Sequence, residues 1–599
     1  MAGSIRVVVT GSGVHEQDEQ GSGATARAAP VTLAGHAHLD LAWGWGPREA
    51  RIEALDTARS AVELLSAHDS ATFVMSQAVV YQWLTEADPG LMARIRELVG
   101  AGRWEPVGGW WVEADLFGAS PASIHRQAAL GQRAFERLVG RRCTVGFSPD
   151  TFGHPSWLPG VLRDAGLTTY VITRPSQAES GLPARFVWEG DDGARVTVVR
   201  AEQYSGVPTL DASGLCLYGV GNHGGGPTRA HLAAADELCA GGFARHGSIA
   251  SFAEQIDVGA LPIIRGDLVH HARGCYATLV SFKERMRALE CRLLQHRTPL
   301  DSWEPLLFWQ FHDVLAGTSV TDVYDEASVD LARIARELDA PVPGPATVPT
   351  IIPRQRVDEG RPVIARETLG ESWCGWVDAV WTSSQLAQDV VVDGCDAVLR
   401  RVEQHGIAWR LHVLVHLTLA PHEERELRWA PVPGRPGALD PPPAGVRLAV
   451  VEDGTDTWGH SLVSYGAEVA PSPASELFCA GGPDGLVEAA GTWLERDRAL
   501  KLVIPFALLD PEHVSRVARA EGEMPGGEWT GPVWGRVWSY DTTADALRVT
   551  LRRSPPYALH DPMPRLSHVD RTYTDQGFFT ARLWLRPQPA RVPPLLVTL

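Results

Sequence analysis

What most constrains the fold of this 599-residue chain is a change of hydrophobic rhythm part-way along it. From Val31, short apolar runs alternate with helical stretches. VTLAGHAHLD opens into polar residues, ALDTARSAVELLSAH has helical spacing, and ATFVMS, RWEPVGGWWVEAD, TVGFSPD and TTYVITRP read as further strands or strand ends. This alternation predicts an α/β domain with a mostly parallel sheet, whose sites gather at the carboxyl ends of strands. Further on the period becomes helical. Leu279, Phe282, Met286, Leu289 and Leu293 form one apolar stripe, and Tyr324, Ala327, Leu331, Ile334 and Leu338 form another. Between them lies SWEPLLFWQFHDVLAG, with Asp301 or Ser302 placed to cap and Pro305 suited to a first turn. Three helices with short links predict a small bundle. Beyond the Pro-rich DAPVPGPATVPTIIPRQ, short strand-like runs between turn residues predict an all-β, sandwich-like C-terminal region. The expected division is a loose leader over 1–30, an α/β domain over 31–265, a three-helix bundle over 266–340, a linker over 341–360 and β-sandwich-like domains over 361–599.

Charge and composition exclude several kinds of chemistry. The formal net charge is −18, which argues against nucleic-acid or anionic-membrane partners, since both need a basic field. Lys283 and Lys501 are the only lysines. Neither follows a phosphate-cradling glycine loop or sits in a kinase-type strand, and neither has promising surroundings for a Schiff base. No apolar run approaches the roughly 18–20 residues of a transmembrane helix. The N-terminus has no signal-peptide pattern. The 8 cysteines are scattered without a CxxC pair, as expected of reduced thiols in a cytoplasmic protein. The 21 tryptophans are expected mostly in cores, with some free to act as platforms for sugar rings.

Three motifs carry candidate chemistry. In Gly35-His36-Ala37-His38-Leu39-Asp40, an extended backbone would turn His36, His38 and Asp40 to one face, a donor set that suits a divalent ion such as zinc. A polar surface loop is the plainer reading. Asp150, in Phe147-Ser148-Pro149-Asp150-Thr151-Phe152-Gly153-His154, could bind metal, attack as a nucleophile or cap a helix starting near Leu158. His312, in Gln310-Phe311-His312-Asp313, could be a fourth ligand or a satisfied core histidine.

Taken in order, GHAHLDLAWGW, PDTFGHPSWLPGVLRDAGL, YGVGNHGGGPT and FWQFHDVLAGTSV resemble glycoside hydrolase family 38, the α-mannosidases. EDGTDTWGH, LRRSPPYALHDP and YTDQGFF in the C-terminal region are similar to family members too, so the resemblance runs from about residue 31 to 587. It implies one zinc ion per chain held by His38, Asp40, Asp150 and His312. It implies that Asp150 is also the nucleophile of a retaining mechanism and forms a covalent mannosyl-enzyme. Trp43 would stack on the sugar, Phe152 would line the same subsite, Asp313 would hydrogen-bond sugar hydroxyls, and His36 would stand behind the ligands. Glu113 and Asp115 in WWVEAD would have a supporting role. The implied substrate is an α-mannoside or oligosaccharide, and assembly into a homo-oligomer is a further expectation.

One departure bears on the mechanism. Many relatives carry an acidic acid/base in the glycine loop that here reads Gly221-Asn222-His223-Gly224-Gly225-Gly226. This loop has no carboxylate, which leaves the acid/base unassigned and His223 as its titratable candidate. Two other readings compete. A catalytically impaired carbohydrate-binding homologue would keep Trp43 and the β domains. An amidohydrolase-type metal enzyme would share the HxH motif, but it expects repeated βα units and often a bridging lysine.

Overall fold

The computed structural model describes residues 29–221, 224–339 and 362–598, apart from 406–407, 460–464, 512–513, 515–516, 518–522, 531–533, 556–573 and 587–594. Residues 1–28 of the expected leader and the whole expected linker lie outside the described residues, as do Asn222 and His223.

The strand Val31–His36 organises the first part of the chain. All six of its residues are buried, as expected of a parallel strand covered on both faces. It pairs in parallel with Ala244–His246, Phe73–Met75 and Leu215–Tyr218, and Phe73–Met75 pairs in parallel with Trp104–Pro106. A second five-stranded sheet runs in the order Ile263–Arg265, Arg185–Glu189, Arg195–Arg200, Thr169–Ile172, Val145–Phe147. Its pairs are parallel except that of Arg185–Glu189 with Arg195–Arg200, which is antiparallel.

Helices cover these sheets. Pro47–Ala67 buries Ala50, Ala54, Ala58, Ala61, Val62 and Leu65, a stripe at helical spacing. Pro121–Val139 begins with Ser120, whose side chain accepts from the Ser123 amide, and ends at Gly140 with φ 78°. Within it Gly131 packs directly on backbone: a Cβ there would lie 2.3 Å from the carbonyl carbon of Trp110 and 2.4 Å from the oxygen of Gly109. That close approach fixes the loop leading to Glu113.

The helical part departs from the expected bundle at its middle helix. Val280–Gln295 and Thr321–Asp339 are long helices, but the segment between them breaks into a 3₁₀ turn, Leu300–Trp303, and two short helices, Glu304–Phe308 and His312–Ala316. The break has a hydrogen-bonding cause. Phe311 forms a β-bridge with Ala114, Gln310 O accepts from the Asp115 amide, and Glu113 O accepts from the His312 amide. A continuous helix would have kept those groups for itself.

Beyond residue 362 the described structure is dominated by antiparallel strands. Trp373–Ser383 alternates buried and more exposed residues along its length and pairs with Ala408–Leu419, the pattern of a sheet with one face on a core. A nine-stranded sheet follows, with its own core around Leu500, Leu502, Leu547 and Trp493. This region also completes the helical one. Leu279, before the helix Val280–Gln295, offers no side-chain cap. Asp575 supplies it instead, accepting from the amides of Val280 and Ser281 at 2.6 and 2.8 Å.

The two lysines are structural in their surroundings. Lys283 Nζ donates to Thr278 O and Ala316 O. Lys501 Nζ lies 2.8 Å from Glu523 Oε2, both side chains fully buried.

Candidate metal and active site

The strand Val31–His36 ends at its last-named residue, so His38 and Asp40 lie in the loop that follows it. The structure therefore corrects the expectation that one extended strand aligns His36, His38 and Asp40. His36 turns elsewhere: its Nδ1 donates to Tyr204 O at 2.7 Å, and its ring packs on Phe147. Asp150 follows the strand Val145–Phe147, and the helix Leu158–Asp164 begins after Trp157. Capping is thus not the role of Asp150. His312 opens the helix His312–Ala316.

His38, Asp40, Asp150 and His312 nonetheless converge. Each offers one ligand atom within 4.8 Å of the other three, and all four residues are buried. His38 Nδ1 lies 3.3 Å from Asp40 Oδ1, and His312 Nε2 lies 3.4 Å from Asp150 Oδ2.

Surrounding groups orient these side chains. His38 Nε2 donates to Glu113 Oε2 at 2.8 Å. Glu113 Oε1 accepts from the amides of Asp150 and Thr151. His312 Nδ1 donates to Glu113 O at 3.1 Å. Each imidazole thus has one nitrogen fixed by Glu113 and the other turned to the carboxylates, as metal-binding histidines are commonly held. His312 Nε2 is buried and has no hydrogen-bond partner, so the donor set fits a divalent cation such as zinc. Two other His-containing groups, His68–Asp236–His246 and Glu179–His270–His271, are partly exposed. In the first, His68 Nδ1 accepts from the Ala71 amide, so Nε2 carries the proton it donates to Asp236.

The electrostatics of the metal-free cluster follow from burial and mutual charge. Burial alone would lower the His312 pKa, but Asp150, Glu113 and Asp313 push it up to about 9. Burial also opposes protonation of His38, and Glu113 and Asp40 outweigh it, holding this imidazole well above its ordinary range. Burial, with the charges of Asp40 and Asp150 added, pushes Asp313 up to about 7. Its Oδ2 lies 3.7 Å from His312 Nε2, so it stands at the edge of the cluster.

Asp150 shows the strongest arrangement. Arg174 Nη2 lies 2.7 Å from Asp150 Oδ1, and Arg174 Nη1 donates to Asp150 O at 2.6 Å. Burial would raise the Asp150 carboxyl, but Arg174 and His312 hold it well below the usual carboxylate range. Tyr204 also hydrogen-bonds Asp150, and burial and that carboxylate keep its hydroxyl protonated. Neither Arg174 nor Tyr204 was singled out by the sequence. The available signal for Arg174 was its place just past the strand Thr169–Ile172, at the same sheet edge as Asp150.

The aromatic candidates lie around this centre. Phe152 is buried with its ring 6.1 Å from that of His312. Trp43 is half-buried, packs edge-on to Trp45 at 5.8 Å, and accepts from the Val320 amide through its carbonyl. Asp115 is not in the cluster; it accepts from the amides of Phe117 and Gly118.

Residues 28–214 match the family model described as the glycosyl hydrolases family 38 N-terminal domain. The chain is 29% identical over 340 residues to alpha-mannosidase G of Dictyostelium discoideum, which covers 49% of this chain and 31% of that protein. It is likewise 29% identical over 340 residues to alpha-mannosidase 2C1 of Mus musculus, covering 49% of this chain and 32% of the relative. The matched part thus spans about a third of the length of these curated relatives. The crystal structure of an alpha-mannosidase from Enterococcus faecalis V583 superposes with a TM-score of 0.65 at 13% identity, covering 95% of this chain and 90% of that one, and so shares the fold. The N-terminal part of the chain is thus similar to the N-terminal domain of glycosyl hydrolase family 38 and to alpha-mannosidases.

Proposed function

We propose that the chain is a zinc-dependent, retaining α-mannosidase acting on terminal α-mannosides or oligosaccharides. The observation that carries this reading is the buried convergence of His38, Asp40, Asp150 and His312 in a chain whose N-terminal part is similar to that of family 38. His38, Asp40, Asp150 and His312 would hold the ion. When bound, zinc supplies a fixed positive charge that binds sugar hydroxyls and favours a distorted ring.

The protein's own residues supply the rest. Asp150, kept ionised by Arg174, attacks the anomeric carbon as the glycosidic C–O bond breaks, giving a mannosyl ester on its carboxylate. Water then attacks the same carbon from the face the leaving group vacated and frees the Asp150 carboxylate, so two inversions give net retention of configuration. Glu113 fixes the imidazole of His38 and the backbone at Asp150, so the nucleophile is oriented before substrate arrives. Trp43 and Phe152 give the sugar an apolar wall, and Asp313 accepts from its hydroxyls. His36, hydrogen-bonded to Tyr204 O, supports the loop behind the ligands. The leaving oxygen takes its proton from a group other than a carboxylate of the loop 221–226, which has none; His223 is the titratable side chain that loop offers.

All 8 cysteines are free, which supports the expected cytoplasmic location. Among the described residues no helix is long and apolar enough to cross a membrane. Assembly into a homo-oligomer belongs to the same proposal. The test is metal analysis of the purified protein with hydrolysis of aryl and α-1,2, α-1,3 and α-1,6 mannosides, before and after chelation. Zinc-dependent release of α-mannose supports the reading. A metal-free protein that cleaves none of these overturns it and leaves a carbohydrate-binding homologue, a reading the carboxylate-free loop would favour.

A further inference from the structure

Among the described residues, a loop of the C-terminal β region reaches the candidate active site. Trp458, in the motif EDGTDTWGH, packs edge-on to Phe152 with ring centroids 5.8 Å apart. The Arg174 guanidinium lies over both rings, 5.4 Å from the centroid of Phe152 and 5.8 Å from that of Trp458. Both distances are within cation–π range. The same guanidinium pairs with Asp150. The chain of contact is therefore Trp458, Arg174, Asp150, with the first residue contributed by a region more than 280 residues further along the sequence.

The loop is fixed where it enters. Arg553, fully buried, pairs with Asp453 at 2.7 Å and donates to Thr278 Oγ1 at 2.7 Å and to Thr457 O at 2.9 Å. It also bonds Asp456 O and Thr455 Oγ1. Thr278 Oγ1 donates to Thr457 O, and the Cys275 thiol faces Trp458 O at 3.8 Å. Gly274 and Gly459 let the two backbones touch: a Cβ on Gly274 would lie 2.7 Å from the Gly459 Cα and 2.7 Å from Trp458 O. Gly459 also has φ 60°, which favours glycine. These contacts hold the Trp458 backbone against the Gly274 turn, which places its ring beside Arg174.

We propose that Trp458 is a positioning residue that acts through Arg174: its ring face holds the guanidinium in place on the Asp150 carboxylate. The C-terminal region would then be part of the catalytic machinery, with Trp458 acting on Asp150 through an intermediary. The consequence for rate rests on the mannosidase reading above; the consequence for geometry does not.

The test is a set of three variants. Trp458→Leu keeps apolar bulk but removes the π face, and Trp458→Phe keeps a face. Trp458→Leu is expected to lower kcat about tenfold to a hundredfold with KM changed less than about threefold, because the nucleophile loses its orientation and the sugar contacts remain. Trp458→Phe should restore most of that loss. In an Arg174→Gln background, Trp458→Leu should add less than about twofold, the non-additivity expected of residues acting through one contact. A rise in KM at constant kcat, or full additivity with Arg174→Gln, would overturn the proposal and make Trp458 a sugar contact. Crystal structures of the Leu and Phe variants decide the geometry without any activity. Arg174 should leave Asp150 in the first and stay paired in the second; pairing retained in both overturns the proposal. Failure of the unaltered protein to cleave any α-mannoside would count against the mannosidase reading alone.

Discussion

Glu113 Oε2 lies 2.8 Å from His38 Nε2, while its other oxygen accepts from the amides of Asp150 and Thr151. One buried carboxylate therefore ties a candidate ligand on the first loop to the backbone of the candidate nucleophile on another. Replacing it with the isosteric amide, Glu113→Gln, puts an NH2 where one of these acceptors stood. Zinc affinity measured by chelator competition should fall about 10- to 100-fold, with the far-ultraviolet circular dichroism unchanged.

Zinc uptake should be linked to protons. In the metal-free protein His312 is raised to about 9 and His38 also lies well above its ordinary range. Both imidazoles must lose a proton to bind metal. Calorimetric titration in buffers of different ionisation enthalpy should show protons released at pH 7, and affinity should climb as pH rises toward about 9. The metal-free fold should show the opposite slope. The His312 pKa is raised on folding, so its contribution to stability is fully present below the unfolded value of 6.5 and is lost as pH rises through about 9. Urea midpoints of the metal-free protein between pH 6.5 and 9 measure this, provided a His312→Gln variant supplies the baseline.

Asp150 and Arg174 should be separable by their effects. Asp150→Ala removes the proposed nucleophile and should lower kcat at least about a thousandfold while leaving the fold intact. Arg174→Gln leaves the nucleophile in place and should cost less than Asp150→Ala. Single-turnover kinetics on an activated aryl mannoside compare the two; substantial turnover by Asp150→Ala would remove it from the nucleophile's role.

Lys501 belongs to stability rather than chemistry. With Glu523 it forms a fully buried pair, and its Nζ lies 3.9 Å from the Tyr465 ring centroid. Lys501→Met leaves Glu523 without its cation and should cost about 3–5 kcal/mol, read as a lower denaturation midpoint. The double variant Lys501→Met/Glu523→Gln should recover part of that loss.

Gly131→Ala tests the backbone contact beneath the site. The added Cβ meets the Gly109, Trp110 and Trp111 backbone rather than a side chain that can move aside. About 3 kcal/mol of stability should be lost, and zinc affinity should fall with it because that loop leads to Glu113.

Much of the site is legible in the sequence because its residue types are unusual in their setting. Two histidines and an aspartate directly after an apolar run, and an aspartate after another, suggest a polar cluster at strand ends from residue order alone. Residue order does not say which atoms face one another. The strand stops at His36, so a period-of-two argument assigns that residue to the wrong company, while the loop carries His38 and Asp40 into place. The middle helix reads as too long because its apolar pattern continues through Trp309–Phe311, where backbone pairing with residues 113–115 overrides helical propensity.

The sequence by itself determined the α/β beginning, the helical middle, the β ending and the donor types, because hydrophobic period and residue chemistry are local properties. Only the tertiary structure decided that Arg174 pairs with Asp150, that Glu113 serves His38 and Asp150 together, and that Asp575 and Trp458 reach back from the β region. These partners are separated by about 24 to 306 residues, and no local pattern records a contact at that range. It exists only once burial has brought the two segments together and left their polar groups to satisfy one another.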